Sequence, residues 1–250
     1  MFTIAERDAV RDSVLELASA DARVLSGAVG GSLALGPGDR WSDLDLTFAV
    51  ADGMPLTDVL DDWTERLSTE FGAVTLFDLP AGASIYRVLL LPGCLQVDLS
   101  VTPAATFAPR GRTFRLLFGS AKQRLPASPR PAAECFGYAV HHALRARFSI
   151  ERGRGWQAEY WISGVRDEAL ALACLRRGLP GAEGRGFDEL PAEALDGFAA
   201  ALVRSLEREE LLRALRAAVT VLVREAEEVR DLAAAVEHQL RELTASPLSV

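Results

Sequence analysis

Lysine is almost absent from this chain: of 27 basic residues only Lys122 is a lysine. Any phosphate clamp must therefore be built from arginine, whose planar fork pairs bidentately with phosphate oxygens. Cysteine is scarce as well. Cys94, Cys135 and Cys174 are odd in number and lack paired metal-ligand spacing, so they read as buried thiols in a reducing compartment. No apolar run reaches membrane-spanning length, and MFTIAERDAV carries Glu6, Arg7 and Asp8 where a signal peptide needs its hydrophobic region. A cytoplasmic protein with no membrane partner is expected. No Gly-Lys-Ser or Gly-Lys-Thr follows a glycine cluster, which excludes a P-loop. The basic surplus of a duplex-binding protein is also missing, since the net charge is −8 and the pI about 5.0. Phosphate neutralisation needs a basic surface, so a nucleic-acid partner is not expected and a neutral or cationic small substrate suits the chain better.

What is present is the material of a globular fold. The 250 residues are 49% hydrophobic and 25% charged, enough for one large domain or two ordinary ones. Helical periodicity over 4–19 is followed by a strand at 23–28, a glycine turn, a short helix at 33–35 and a strand from Asp43 to Val50. Val59, Leu60, Trp63 and Leu67 make 56–71 an amphipathic helix that Gly72 ends. Three strands are expected at 73–77, 84–91 and 94–101, the last two joined at Pro92-Gly93 as a hairpin. A stretch rich in arginine, proline and small residues then places a domain boundary near Leu125 to Pro131. Beyond it the periodicity predicts helices at 132–149, 156–177 and 192–205, and one or two over 206–243. The fold class expected is α+β: a small mixed-sheet head, 1–125, followed by a helical bundle, 126–250.

The stretch GAVGGSLALGPGDRWSDLDLTFAV, Gly27 to Val50, carries the chemistry. A strand, then Gly30-Gly31-Ser32, then a helix brings backbone close to phosphate oxygens. Ten residues later Asp43 and Asp45 open a strand and share a face with Thr47, while Leu44, Leu46, Phe48 and Val50 face the other way. On the later strand Leu95, Val97, Leu99 and Val101 point one way, leaving Asp98 on the non-core face. If those strands are neighbours, three carboxylates converge as hard oxygen ligands for Mg²⁺, and with the turn they form a two-metal phosphoryl-transfer site. The glycines alone also fit a dinucleotide-binding turn. In that fold the ribose-binding acid ends the next strand, whereas Asp43 and Asp45 begin theirs.

Gly30-Gly31-Ser32, ten residues, Asp43-x-Asp45 and a third acid on a later strand resemble the signature of the DNA polymerase β-like nucleotidyltransferase superfamily. A small αβ head before a helical bundle resembles, more narrowly, the bacterial nucleotidyltransferases that modify aminoglycosides or lincosamides. The superfamily resemblance covers roughly residues 20 to 102. It implies that Gly30, Gly31 and Ser32 hold the triphosphate of a nucleotide such as ATP, and that Asp43 and Asp45 bind two Mg²⁺ ions. It also implies that Asp98 binds metal or acts as base toward an acceptor hydroxyl. The reaction implied is transfer of AMP or another nucleoside monophosphate to a small hydroxyl-bearing acceptor, such as an aminoglycoside-like antibiotic, with release of pyrophosphate. The remaining readings are a protein or RNA acceptor, and a catalytically silent nucleotide-binding module.

In the helical half Trp156, Glu159, Tyr160, Ser163 and Asp167 share one helix face, opposite Ala158, Ile162, Val165, Ala169 and Leu172. Glu159 and Asp167 suit an amine-rich acceptor, Trp156 and Tyr160 can stack on a ring, and Arg166 can reach a phosphate. The alternative is aromatics in the bundle core and a solvated charged face. His141-His142 reads as a satisfied interface pair, and the charge run Glu207 to Glu228 as the wet face of a helix. Arg110, Arg112 and Arg115 follow the Asp98 strand and either serve the triphosphate or decorate the domain junction. Ser32 can also cap the short helix.

Overall fold

The computed structural model describes residues 1–109, 113–123 and 129–245. Two compact units divide the chain, 1–126 and 127–250, and each is described by itself. The boundary expected near 125 lies outside the described residues, as do Arg110 and Arg112. Among the described residues no helix is long and apolar enough to cross a membrane.

The first unit begins with α1, Ile4–Ala20, started by a capping box in which Thr3 and Glu6 satisfy each other's backbone amides. Its buried face is Arg7, Val10, Val14 and Ala18. Strands β1, Val24–Val29, and β2, Leu44–Val50, precede α2, Leu56–Phe71, which buries Val59, Leu60, Trp63 and Leu67 and ends on Gly72 at φ +69°. Strands β3, Val74–Ala81, β4, Ser84–Leu91, β5, Leu95–Pro103, and β6, Arg115–Phe118, complete a six-stranded mixed sheet in the order β3-β4-β5-β2-β1-β6. Within it β2 and β5 run parallel and every other neighbouring pair is antiparallel. Leu44, Leu46, Phe48, Val97, Leu99 and Leu89 pack with Val14, Leu60 and Trp63 in one buried core. That core takes one face of the sheet and leaves the aspartates on the other.

Several elements depart from expectation. β3 continues past Phe77 because Asp78 pairs with Arg87 across the ladder, at 2.8 and 2.7 Å, and Pro80 is tolerated on an edge strand. β6 is an additional strand: its RLLF is too short for a periodicity signal, and β1 supplies its ladder partners. Cys94 is exposed, not buried, because it sits at φ +64° in the hairpin turn while Leu95 begins the strand.

The second unit is helical: α3, Ala132–Glu151, α4, Gly155–Arg176, α5, Ala192–Ala199, α6, Arg208–Glu225, and α7, Arg230–Thr244. Its core is built from Phe136, Ile162, Leu172, Phe198, Leu215 and Leu222 among others. The helix expected over 192–205 stops at Ala199, because Arg213 of α6 takes the carbonyls of Ala200 and Leu202 and Glu210 accepts the Arg204 amide. Nor is the charged run of α6 wholly wet. Glu225 is buried and accepts from Arg177 and Arg224, each at 3.0 Å.

His142 is not the satisfied histidine that was expected. Its Nδ1 and the Nε1 of Trp161 are buried with no partner among the described residues. The two rings lie 5.2 Å apart, and Gly164 brings α4 so near that an added Cβ would stand 2.7 Å from Nδ1. Close packing has displaced the hydrogen bond, leaving a desolvation cost of about 1–3 kcal/mol. His142→Phe should therefore melt at or above the wild-type temperature, and a clear drop in a calorimetric scan would reveal a polar role for the ring.

Candidate active site

The parallel pairing of β2 with β5 sets Asp45 directly beside Asp98. Asp43, one residue ahead of β2, adds a third carboxylate, and one oxygen from each of the three lies within 4.8 Å of the others. All three side chains are half-buried. At that outer separation each pair of charges repels by about 3 kcal/mol for an effective dielectric constant of about 20. Burial, with the Asp43 charge adding to it, pushes the Asp98 carboxyl above its ordinary range, against a 2.9 Å hydrogen bond from Gln96. Hard oxygens that repel one another fit a divalent cation such as Mg²⁺, which needs few protein ligands beyond substrate oxygens. Asp43, Asp45 and Asp98 are the residues that would hold it.

The glycine turn abuts this cluster. The Gly30 amide donates to the Asp45 carbonyl at 2.8 Å, so Gly30 positions the aspartate and its N–H is not available to a phosphate. Gly31 has φ +56° and ψ −152°, a conformation that essentially only glycine adopts, and a Cβ there would collide with the Asp45 carboxylate. Ser32 is exposed and opens a 3-10 turn, Ser32–Ala34. It makes no capping bond. Its Oγ donates to Ser42 Oγ at 2.8 Å, and Ser42 in turn donates to Asp39 at 3.0 Å. The amide of Trp41 and then the Ser42 hydroxyl hold the Asp39 carboxyl below the usual carboxylate range.

Two residues of this support escaped the sequence reading. Arg7, 1% exposed, donates to the carbonyls of Asp39 at 2.7 Å and Pro37 at 3.1 Å, tying the loop that returns the chain to Asp43 onto α1. Its signal was available, since Arg7 falls on the same helical stripe as Val10, Val14 and Ala18. Ser42 carried none, because its role arises only when the loop folds back on Ser32. Arg115 donates to the Leu33 carbonyl at 3.0 Å and so braces the 3-10 turn. A cavity of about 500 Å³ beside that turn, lined by Arg11, Leu15, Leu33 and Arg115, contains none of the three aspartates.

The remaining candidates belong to the second unit, on α4. Trp156 is 79% and Tyr160 64% exposed, so neither is bundle core. Glu159 accepts from Ser163 at 2.8 Å, and Arg166 pairs with its neighbour Asp167 at 3.1 Å. Ala158, Ile162, Val165, Ala169 and Leu172 are buried on the opposite face.

No protein-family model matches the chain, and no curated protein does. Among solved structures it is similar to an aminoglycoside 6-adenyltransferase from Bacillus subtilis, with 12% identity, 98% of this chain and 100% of that one covered, and a TM-score of 0.41. It is also similar to JHP933 from Helicobacter pylori, with 14% identity, 93% and 97% covered, and a TM-score of 0.27. Neither likeness is strong enough to carry an argument, and the functional reading rests on the residues.

Crowded charge makes a stability prediction. Because the folded Asp98 carboxyl titrates above its unfolded range, its ionisation costs the metal-free fold nothing at acid pH. The cost grows as pH rises through the unfolded and then the folded pKa. In EDTA, Asp98→Asn should therefore melt at or above wild type at pH 8, with the advantage shrinking on acidification; an Asn variant that melts lower at pH 8 than at pH 4, relative to wild type, contradicts this. Mg²⁺ should raise the melting temperature of wild type, and Gly31→Ala should stay folded but displace Asp45 and lose that rise; a Gly31→Ala variant that Mg²⁺ stabilises as much as wild type contradicts this.

Proposed function

We propose that the chain is a metal-dependent nucleotidyltransferase that moves AMP, or another nucleoside monophosphate, from a nucleoside triphosphate to a hydroxyl of a small molecule. The supporting observation is the convergence of Asp43, Asp45 and Asp98 beside a turn whose backbone only glycine allows. Antibiotic-like hydroxylated compounds are one acceptor class for such a site.

In this reading Gly31 and Ser32 hold the β- and γ-phosphates, with Ser32 exchanging Ser42 for a phosphate oxygen. Gly30 keeps Asp45 in place. Asp43 and Asp45 would hold Mg²⁺, two ions in the two-metal form of the reaction, which would supply positive charge to the triphosphate and lower the pKa of the acceptor hydroxyl. Asp98 would face the arriving acceptor hydroxyl and take its proton. The hydroxyl oxygen forms a bond to the α-phosphorus, the bond from that phosphorus to the bridging oxygen breaks, and pyrophosphate leaves with the electron pair.

Asp43→Asn and Asp45→Asn should each lower acceptor-dependent pyrophosphate release by on the order of a thousandfold, equivalent to about 4 kcal/mol of barrier, with the circular dichroism spectrum unchanged. Release at the wild-type rate in either variant overturns the reading. Mg²⁺-dependent ATP binding without turnover over a broad acceptor panel would mark a silent module instead. Label from ATP appearing on macromolecules in lysate would move the acceptor to protein or RNA.

A further inference from the structure

The three aspartates end partway across the sheet, and toward the β3 edge the same face becomes apolar. Register fixes the arrangement. Asp45 pairs with Asp98, Asp98 with Val88, and Val88 with Phe77, so one cross-sheet row runs from β2 through β5 and β4 to β3. The row beside it runs Thr47, Ser100, Tyr86, Leu79. On the other flank Gln96 pairs with Leu90 and Leu90 with Val74. Directly paired residues share a face, so Val74, Phe77, Leu79, Tyr86, Val88 and Leu90 all lie on the side that bears the carboxylates.

The β3 side of this surface is open: Val74 is 60% exposed, Phe77 54%, Leu79 54% and Leu90 38%, an apolar group of the kind that marks a binding surface, while Val88 between them and Asp98 is buried at 8%. Charge is kept out of it: Arg87 and Asp78 of the same two strands point to the core side, where Arg87 also meets Asp61 of α2 at 2.7 Å. Strands stand about 4.8 Å apart, so Val88 is one step and Phe77 two steps, about 10 Å, from Asp98. The glycine turn occupies the opposite end of the same row, through Gly30 against Asp45. Glycine turn, carboxylates and apolar platform therefore follow one another in a line.

We propose that the open face of β3 and β4 is the acceptor platform, taking a hydroxyl-bearing molecule with an apolar ring or chain, not a polycationic sugar. This rests on the nucleotidyl-transfer reading. With the triphosphate on the Gly31 side, the acceptor hydroxyl must reach Asp98 from the β4 side, and the body of the molecule then lies over Tyr86, Phe77 and Leu79. A polyamine sugar would leave those side chains in contact with hydrated ammonium groups and gain no burial there. A second copy of the chain adding a strand at the β3 edge is a poorer occupant. Pro80 removes an amide from that edge and the bulge between Thr75 and Phe77 interrupts it, both devices that block edge pairing.

The test uses p-nitrophenyl β-D-glucopyranoside, an aromatic aglycone on a hydroxylated sugar, with kanamycin as the polycationic comparator. Titration of the full chain without nucleotide should show the glucoside binding wild type, with affinity falling at least about tenfold in Phe77→Asp and in Leu79→Asp. Phe77→Leu should retain binding. Kanamycin should bind none of the variants differently from wild type. In turnover with Mg·ATP, Phe77→Asp should raise the glucoside KM while the KM for ATP is unchanged. Equal glucoside affinity in folded Asp variants overturns the proposal, as does a concentration-dependent dimer by sedimentation that Phe77→Asp disperses. If the glucoside distinguishes the variants but no acceptor releases pyrophosphate, the nucleotidyl-transfer reading has failed, and the acceptor role falls with it.

Discussion

The parallel pairing of β2 with β5 is the contact on which the rest of the first unit's chemistry depends, because it alone puts Asp45 and Asp98 side by side. Those residues are 53 positions apart in sequence, and between them the chain makes α2 and the β3–β4 hairpin. The apolar faces of α2, β2 and β5 hold the register: Leu44, Leu46, Val97 and Leu99 are buried with Leu60 and Trp63, and a slip of one residue would exchange them for aspartates. Burial of one face thus pays for crowding charge on the other.

That crowding also explains why the surroundings are so tightly specified. Repulsion among three half-buried carboxylates would push them apart if their backbone could yield. Gly30 ties the Asp45 carbonyl, Gly31 leaves room for its carboxylate, and Gln96 steadies Asp98. Arg7 does the same for the loop ahead of Asp43, spending a buried guanidinium on two backbone carbonyls and Asp8. A preorganised anionic cluster of this kind, held by its support, is one that a divalent cation would relieve.

Much of this was legible in the residues. The bounds of α2 and β4, the hairpin at Pro92-Gly93 and the alternation of β2 and β5 follow from periodicity and turn chemistry that act within a few residues. So does the sharing of a face by Asp43 and Asp45. What escaped were features made by distant partners. The length of β3 depends on Arg87, the end of α5 on Arg213, the existence of β6 on β1, and the unsatisfied ring of His142 on the approach of Gly164. Ser32 shows the difference within one residue: its place after two glycines is sequence, while its bond to Ser42 is not.

By itself the sequence determined an α+β chain, a glycine turn at a set distance from two aspartates, and a third aspartate on the polar side of a later strand, because each is a local pattern of period or spacing. Only the tertiary structure decided that the third aspartate stands beside the second, that Gly30 serves Asp45 instead of a ligand, and that an apolar platform continues the row. Strand order and register join residues far apart in the chain, and no local period encodes which strand will lie next to which.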